Sequence, residues 1–265
     1  MRVISWDSFA GSRPLRNTRS SMTIGVFDGI HLGHRRLLDR ILSADTDEAI
    51  VTTFRYNPRI FLKPHLYPGD ITTLEQKLGH LGDLGVDTVI LIDFSNDFSK
   101  LSGREFLMSI RRNCELELLV LGDNFRCGYQ GATSAYDARD ILDEHRIDVE
   151  IEAPVTWKGA TLSSTRIRAA IREGEVEEAK AMMDRPYALD VASTPVLRDN
   201  EKRRIEKTGL HQVLPPPGRY LVDIETPTRV FRRELDVDQE SIAWSHHGPE
   251  ETHTIYVLNK LDKGA

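Results

Sequence analysis

Short runs of Val, Ile and Leu punctuate the first two thirds of the chain at Met22–Phe27, Ala49–Phe54, Thr88–Phe94, Leu116–Leu121 and Ile147–Ala153. Runs of this length that are apolar almost throughout predict parallel strands buried on both faces. Between them, Arg35–Leu42, Leu74–Leu84, Gly103–Arg112 and Ser134–His145 carry apolar residues three and four positions apart, the spacing of helices that cover such a sheet. The pattern predicts a doubly wound parallel α/β domain over residues 1–187. Ligands of such folds bind beyond the carboxyl ends of the strands, which singles out the loops Asp28–Gly33, Arg55–Pro64 and Gly122–Gly131.

After Arg185-Pro186 the pattern changes. Leu214-Pro215-Pro216-Pro217-Gly218 is a strong turn, and alternating stretches follow around Tyr220–Ile224, Val230–Leu235, Ile242–Trp244 and Thr254–Leu258. These predict a small antiparallel β module over residues 188–265. The charged stretch Glu201–Lys207 reads as a solvated loop or helix face. There is no internal repeat.

Composition narrows the class. Of 265 residues 40% are hydrophobic and 29% charged, as in ordinary globular domains, which excludes collagen-like and wholly disordered chains. Thirty-five basic against 41 acidic residues leave a net charge of −6, which argues against a nucleic-acid-coating or membrane-surface protein but permits a local basic pocket for a phosphorylated small molecule. Two cysteines, Cys114 and Cys127, are too few for a disulfide framework or a cysteine-rich zinc site. No apolar run approaches the ~20 residues that span a bilayer and no signal-type segment follows Met1, so the expected compartment is the cytoplasm. Oligomeric state leaves no mark on the sequence.

Two segments carry phosphate chemistry. Gly25-Val26-Phe27-Asp28-Gly29-Ile30 ends the first strand and runs into His31-Leu32-Gly33-His34, with the helix expected from about His34. A helix N-terminus presents unpaired N–H groups and roughly half a positive charge, Gly33 lets backbone approach a ligand, and imidazoles donate to phosphate oxygens. The plainer reading makes His31 a surface residue and His34 a cap. Further on, Leu162-Ser163-Ser164-Thr165-Arg166-Ile167-Arg168 opens another helix. There Ser164 or Thr165 is expected to cap and Arg166 and Arg168 to bind phosphate, or else the segment is an ordinary cap followed by surface arginines.

Together, in this order and on an α/β scaffold, the motifs resemble the nucleotidylyltransferase superfamily, with its H-x-G-H and S-x-x-R-type signatures and Rossmann-like sheet. A closer resemblance is to the FMN adenylyltransferase module of bacterial FAD synthetase, the bifunctional riboflavin kinase/FMN adenylyltransferase family. It rests on Thr23 through His34, Thr53-Phe54 with Asn57-Pro58-Arg59, Leu74-Glu75-Gln76-Lys77-Leu78, Leu121-Gly122-Asp123-Asn124-Phe125-Arg126, and Ser163 through Arg168 on to Arg185-Pro186-Tyr187. The resemblance implies AMP transfer from ATP to FMN. ATP would lie across the first helix N-terminus, in the turn of Gly25, Phe27, Asp28 and Gly33, with its α-phosphate near His31 and His34. Ser164, Thr165 and Arg166, with Arg168 a further candidate, would hold the leaving pyrophosphate. FMN would lie under the loops of Asn57, Pro58, Arg59, Asp123, Asn124 and Phe125, and Mg²⁺ would bridge the triphosphate through phosphate oxygens and water, with no protein ligand assigned.

Local readings compete. Phe54 fits a strand-end core residue better than a flavin stacker, whereas Phe125 fits either. Asp28 is assigned a structural role in the phosphate turn, and Asp123 and Asn124 either cap their loop or bond the flavin. Cys127 stands where the family usually has an aromatic residue and Tyr56 where it often has proline; an ordinary buried thiol is the expectation for Cys127.

In the bifunctional family a riboflavin kinase β-barrel follows, with a G-x-P-T-A-N-type segment for Mg·ATP. Beyond Tyr187 only Thr226-Pro227-Thr228 resembles it, followed by Arg229-Val230, and the 78 residues from 188 on read as a truncated or remodelled β module without kinase activity. Three function classes stand at this point: an FMN adenylyltransferase, a nucleotidylyltransferase for another phosphorylated acceptor, and a non-catalytic flavin or nucleotide binder.

Overall fold

The computed structural model describes residues 1–94, 98–199, 202–245 and 251–261. They divide into two compact units, one of residues 1–65 and 77–161, the other of 66–76 and 162–265. This division falls at Thr161/Leu162, whereas the change of sequence pattern falls at 187/188.

The first unit is built on six parallel strands: β1 (Arg2–Ser5), β2 (Leu15–Ile24), β3 (Glu48–Phe54), β4 (Thr88–Ile92), β5 (Cys114–Gly122) and β6 (Asp148–Glu152). Their order is β1-β4-β3-β2-β5-β6. Every residue of β4 is buried, as is Ala49–Thr53 of β3, which is why these strands read as continuous apolar runs. Helix α2 (Leu32–Leu42) packs on β2, β3 and β5 through Leu37, Leu38 and Ile41. A separate cluster joins Met22, Ile24, Ile50, Ile90, Leu119 and Leu121 to Phe9 of α1 (Trp6–Ser12), Phe106 and Ile110 of α5 (Gly103–Asn113), and Ala138 and Leu142 of α6 (Ala135–Asp143). Capping boxes fix the starts of α5 (Ser102 with Glu105) and α6 (Ser134 with Asp137). From β2 the chain proceeds through β3 and β4 on one side and β5 and β6 on the other, so the loops after β2 and β5 flank the topological switch point.

Two short helices lie on the β3-to-β4 connection, α3 (Arg59–Leu62) and α4 (Leu74–Asp83), the latter supplying its first residues to the second unit and the rest to the first. The second unit holds α7 (Ser164–Glu173), α8 (Val176–Met183) and seven strands, β7 (Tyr187–Asp190), β8 (Leu197–Asp199), β9 (Lys202–Glu206), β10 (Gly218–Glu225), β11 (Val230–Val237), β12 (Ser241–Ser245) and β13 (Thr254–Leu261). The sheet is antiparallel, in the order β7-β13-β10-β11-β12-β9-β8. Tyr220, Val222, Ile224, Leu235, Ile242, Trp244, Ile255 and Val257 are among its buried side chains, and α8 packs on β13. Segment 66–76 joins this unit through backbone bonds between Asp70 and His211 and between Val213 and Asp70. Buried Gln212 bonds the Ile71 and Ala188 carbonyls and Gln76.

One expectation is corrected here. Lys202–Glu206 is a strand, not a solvated loop or helix face: Arg203 and Ile205 are buried while Lys202, Arg204 and Glu206 are exposed. The density of charge hid an alternation of period two. Glu201 lies outside the described residues. Among the described residues no helix is long and apolar enough to cross a membrane.

Candidate active site

Strand β2 stops at Ile24, three residues short of the apolar run, because the backbone then turns left-handed at Phe27 (φ 53°), Gly29 (φ 83°) and Ile30 (φ 32°). Left-handed backbone costs a non-glycine residue about 1–3 kcal/mol. Phe27 and Ile30 are both core residues, so burial holds a conformation that backbone preference opposes. The turn also buries the Asp28 carboxyl group.

The turn delivers the chain to α2 with His31 as N-cap. Its Nδ1 accepts the His34 N–H at 3.3 Å. The helix therefore begins at Leu32, earlier than the expected His34, and His31 rather than His34 caps it. Both candidate caps are histidines, outside the usual capping set, so the sequence offered no capping preference to choose between them. With Nδ1 accepting, a neutral ring carries its proton on Nε2, which becomes a donor. The two imidazoles stack with centroids 3.7 Å apart at 14°, and His34 also lies against Phe27 at 5.0 Å. A Cβ at Gly33 would stand 3.1 Å from His31 Nδ1 and Cε1, and one at Gly25 3.1 Å from the Phe27 ring. The neighbour that requires Gly33 is thus the His31 ring itself.

Beyond β3, buried Asn57 accepts the Arg59 N–H on Oδ1 at 3.2 Å and starts α3 behind Pro58, leaving Arg59 exposed. Phe54 packs against the core and meets Phe94 and Phe98 edge-on, in agreement with its reading as a strand-end core residue. Tyr56 is exposed. Beyond β5, Asp123 and Asn124 are exposed, and Asp123 accepts the Tyr136 hydroxyl at 2.8 Å, which raises that phenol above its ordinary pKa. Phe125 and Cys127 pack partly buried against the core cluster.

Burial, followed by the neighbouring Asp137, pushes the Cys127 thiol up to about 12, and burial alone does the same to Cys114. Neither is a thiolate at neutral pH. Thiol titration of the native chain at pH 8 is expected to give no fast-reacting group, with both cysteines reacting after denaturation; rapid alkylation of native Cys127 would contradict this.

One functional candidate was missed. Lys77 on α4 is 7% exposed, and its Nζ lies 2.7 Å from the Phe54 carbonyl oxygen and 3.4 Å from both Thr53 Oγ1 and the Val26 carbonyl oxygen. The available signal was a lysine four residues before Leu81, on the buried stripe of an amphipathic helix.

In the second unit, Ser163 caps α7 through Oγ, which accepts the Arg166 N–H at 3.3 Å. The expected caps Ser164 and Thr165 are instead the first helical residues. Arg166 is half-buried. Arg168 is 5% exposed, donates from Nε to the Gly69 carbonyl at 2.9 Å, and lies over the Tyr67 ring at 5.6 Å, so at least part of its guanidinium serves the interior.

The first unit gathers Gly25, Phe27, Asp28, His31, Gly33 and His34 in one turn after β2, with Asn57–Arg59 and Asp123–Phe125 following the two strands that flank it. Ser164, Thr165, Arg166 and Arg168 belong to the second unit. Among the described residues no group of three or more His, Cys, Asp or Glu side chains is placed to hold a metal ion.

A family profile described as FAD synthetase matches residues 14–166, from the start of β2 to the first turn of α7. The chain belongs to the FAD synthetase family. It is 29% identical over 178 residues to the bifunctional riboflavin kinase/FMN adenylyltransferase of Buchnera aphidicola subsp. Schizaphis graminum, a match that covers 65% of this chain but only 57% of that relative. To the FAD synthetase of Listeria monocytogenes serovar 1/2a it is 29% identical over 230 residues, covering 84% of this chain and 89% of that one. A solved structure described as the macrolide-efflux protein from Streptococcus pneumoniae superposes with a TM-score of 0.84 at 24% identity, covering 100% of this family member and 92% of its own chain, a likeness of fold.

Proposed function

We propose that this chain transfers AMP from ATP to FMN in the cytoplasm, giving FAD and pyrophosphate, and that it does not phosphorylate riboflavin. The observation that carries the reading is the stacked His31–His34 pair at the N-terminus of α2, beside the switch point of the sheet, in a chain of the FAD synthetase family. A phosphate monoester has its second pKa near 6 and is largely dianionic at neutral pH, so FMN arrives as a nucleophile and needs no general base. One of its phosphate oxygens bonds to the α-phosphorus of ATP as the bond from that phosphorus to the bridging oxygen breaks, and pyrophosphate leaves with the electron pair.

The chain's part is alignment and charge neutralisation. His31 Nε2, His34 and the first amides of α2 donate to the α-phosphate oxygens, in the turn of Gly25, Phe27, Asp28 and Gly33. Ser164, Thr165 and Arg166, with Arg168, are assigned to the terminal phosphates, and Asn57, Pro58, Arg59, Asp123, Asn124 and Phe125 to the flavin. Mg²⁺ would arrive on the triphosphate and supply charge neutralisation there, and the turn, whose only carboxylate is the buried Asp28, fits a metal held by phosphate oxygens and water. Functionally the adenylyl-transfer part is assigned to residues 1–187 and the remodelled β module to 188–265.

The test supplies Mg·ATP with FMN and follows FAD and pyrophosphate, which are expected in equal amounts. Turnover of another phosphorylated acceptor by a preparation that leaves FMN untouched would move the activity elsewhere in the superfamily. Tight flavin binding with no product from any acceptor would make the chain a binder.

A further inference from the structure

We propose that Lys77 is a positioning residue that locks the phosphate-binding turn. Its ammonium selects the turn with left-handed backbone at Phe27, Gly29 and Ile30 and thereby fixes where His31 and His34 stand.

The argument starts from the cost of burial. A 7%-exposed ammonium is expensive unless each N–H has an acceptor. Here the ammonium meets the Phe54 carbonyl at 2.7 Å, and Thr53 Oγ1 and the Val26 carbonyl at 3.4 Å. The Thr53 hydroxyl in turn donates to the Val26 carbonyl at 3.0 Å. Lys77 and Thr53 therefore converge on one oxygen, that of the residue before the first left-handed position.

That oxygen is the conformational handle of the turn. Phe27 exchanges its φ of 53° for an ordinary negative value most directly by a flip of the Val26–Phe27 peptide plane, which swings the Val26 carbonyl to the opposite side. Such a flip would abandon both hydrogen bonds, each of them made by a buried side chain. The brace thus opposes relief of the strain at Phe27 and Ile30, the residues that lead directly into the His31 cap. The same ammonium ties this turn to the last residue of β3, from which the chain continues to Asn57. Lysine suits the place because its point charge offers three donors in different directions, where methionine would fill the volume and bond nothing.

The catalytic consequence rests on the adenylyl-transfer reading, whereas the conformational one does not, and the experiment separates them. Lys77→Met and Thr53→Val are made in the whole chain. Amide hydrogen exchange is followed at residues 25–33 and, for reference, at Thr88–Ile92. Lys77→Met is expected to speed exchange in the turn about tenfold or more without change in β4, and Thr53→Val to act in the same direction more weakly. With Mg·ATP and FMN, kcat per folded molecule falls by about a hundredfold in Lys77→Met while KM for FMN moves by less than about threefold. A merely structural loss would lower the folded fraction and leave kcat per folded molecule alone.

The proposal is overturned if both variants keep wild-type exchange in the turn, or if kcat per folded molecule stays within about twofold of wild type. Should Lys77→Met fail to fold, Thr53→Val carries both measurements. If the wild-type chain makes no FAD, the adenylyl reading falls and the exchange result alone decides the brace.

Discussion

Replacing His31 by Asn is expected to slow the single-turnover formation of FAD by about a hundredfold while leaving thermal stability near that of the wild type. The two jobs of His31 sit on different atoms. Nδ1 accepts the His34 N–H and caps α2, a role that asparagine, a preferred capping residue, performs as well. On the proposed reading Nε2 donates to the α-phosphate, and losing one donor to developing charge costs about 3 kcal/mol, roughly two decades in rate. His31→Ala loses both and is expected to shed about 1 kcal/mol of stability in addition. His34→Ala leaves the cap intact, since the bond uses its backbone N–H, but removes the ring stacked 3.7 Å from His31 and should cost a similar factor in rate. Nucleotide binding should fall much less than rate in each case, because these contacts strengthen as charge builds at phosphorus. Near wild-type single-turnover rates in both His31→Asn and His34→Ala would remove the pair from the chemistry.

The sequence pattern located what depends on apolar runs and missed what depends on single side chains. All five expected strands of the first unit are present: β3 and β4, buried along almost their whole length, read as continuous apolar runs, while β6 shows itself only by Val149 and Ile151 alternating with acidic residues. The pair Arg2–Ser5 and Trp6–Ser12 escaped notice because a four-residue strand at the sheet edge, half exposed, has no run to display. Strand β9 escaped because one of its two buried positions, the one that alternates with Ile205, is filled by the charged Arg203. At the candidate site the histidines and the serine-rich helix start were legible as motifs, but which serine caps and which histidine caps were not: Ser163 and His31 are selected by backbone geometry that adjacent serines or imidazoles satisfy equally well in one dimension. Lys77 stood within Leu74–Leu78, a segment carrying the family resemblance, but its role was not legible, because the Val26 and Phe54 carbonyls that it bonds come from two other segments of the chain.

Riboflavin supplied with Mg·ATP but without FMN is expected to yield neither FMN nor FAD. A kinase must activate a neutral hydroxyl against a γ-phosphate, which requires a positioned base and a loop for Mg·ATP, whereas the adenylyl step begins from an ionised nucleophile. The second unit commits its relevant groups elsewhere. Thr226, the first residue of the Thr-Pro-Thr segment, is buried, and its hydroxyl bonds both the N–H and the carbonyl of Arg229, closing the β10–β11 hairpin. The Glu225 carboxylate accepts the Tyr256 hydroxyl at 2.8 Å, in a setting where burial first and that carboxylate second push the phenol up to about 12. Glu234 pairs with Arg219 at 3.0 Å on the exposed face of the sheet. Glu240 sits in the turn before β12, where the Ser241 hydroxyl, then the N–H groups of Ser241 and Glu240, hold the Asp238 carboxyl down at about 2. The carboxylates of Glu225 and Glu234 thus have structural partners, and the threonine segment is a hairpin turn. Chromatography of the riboflavin reaction decides the matter: time-dependent FMN, or FAD drawn from it, above a control without protein would establish that this sheet phosphorylates riboflavin with residues other than these.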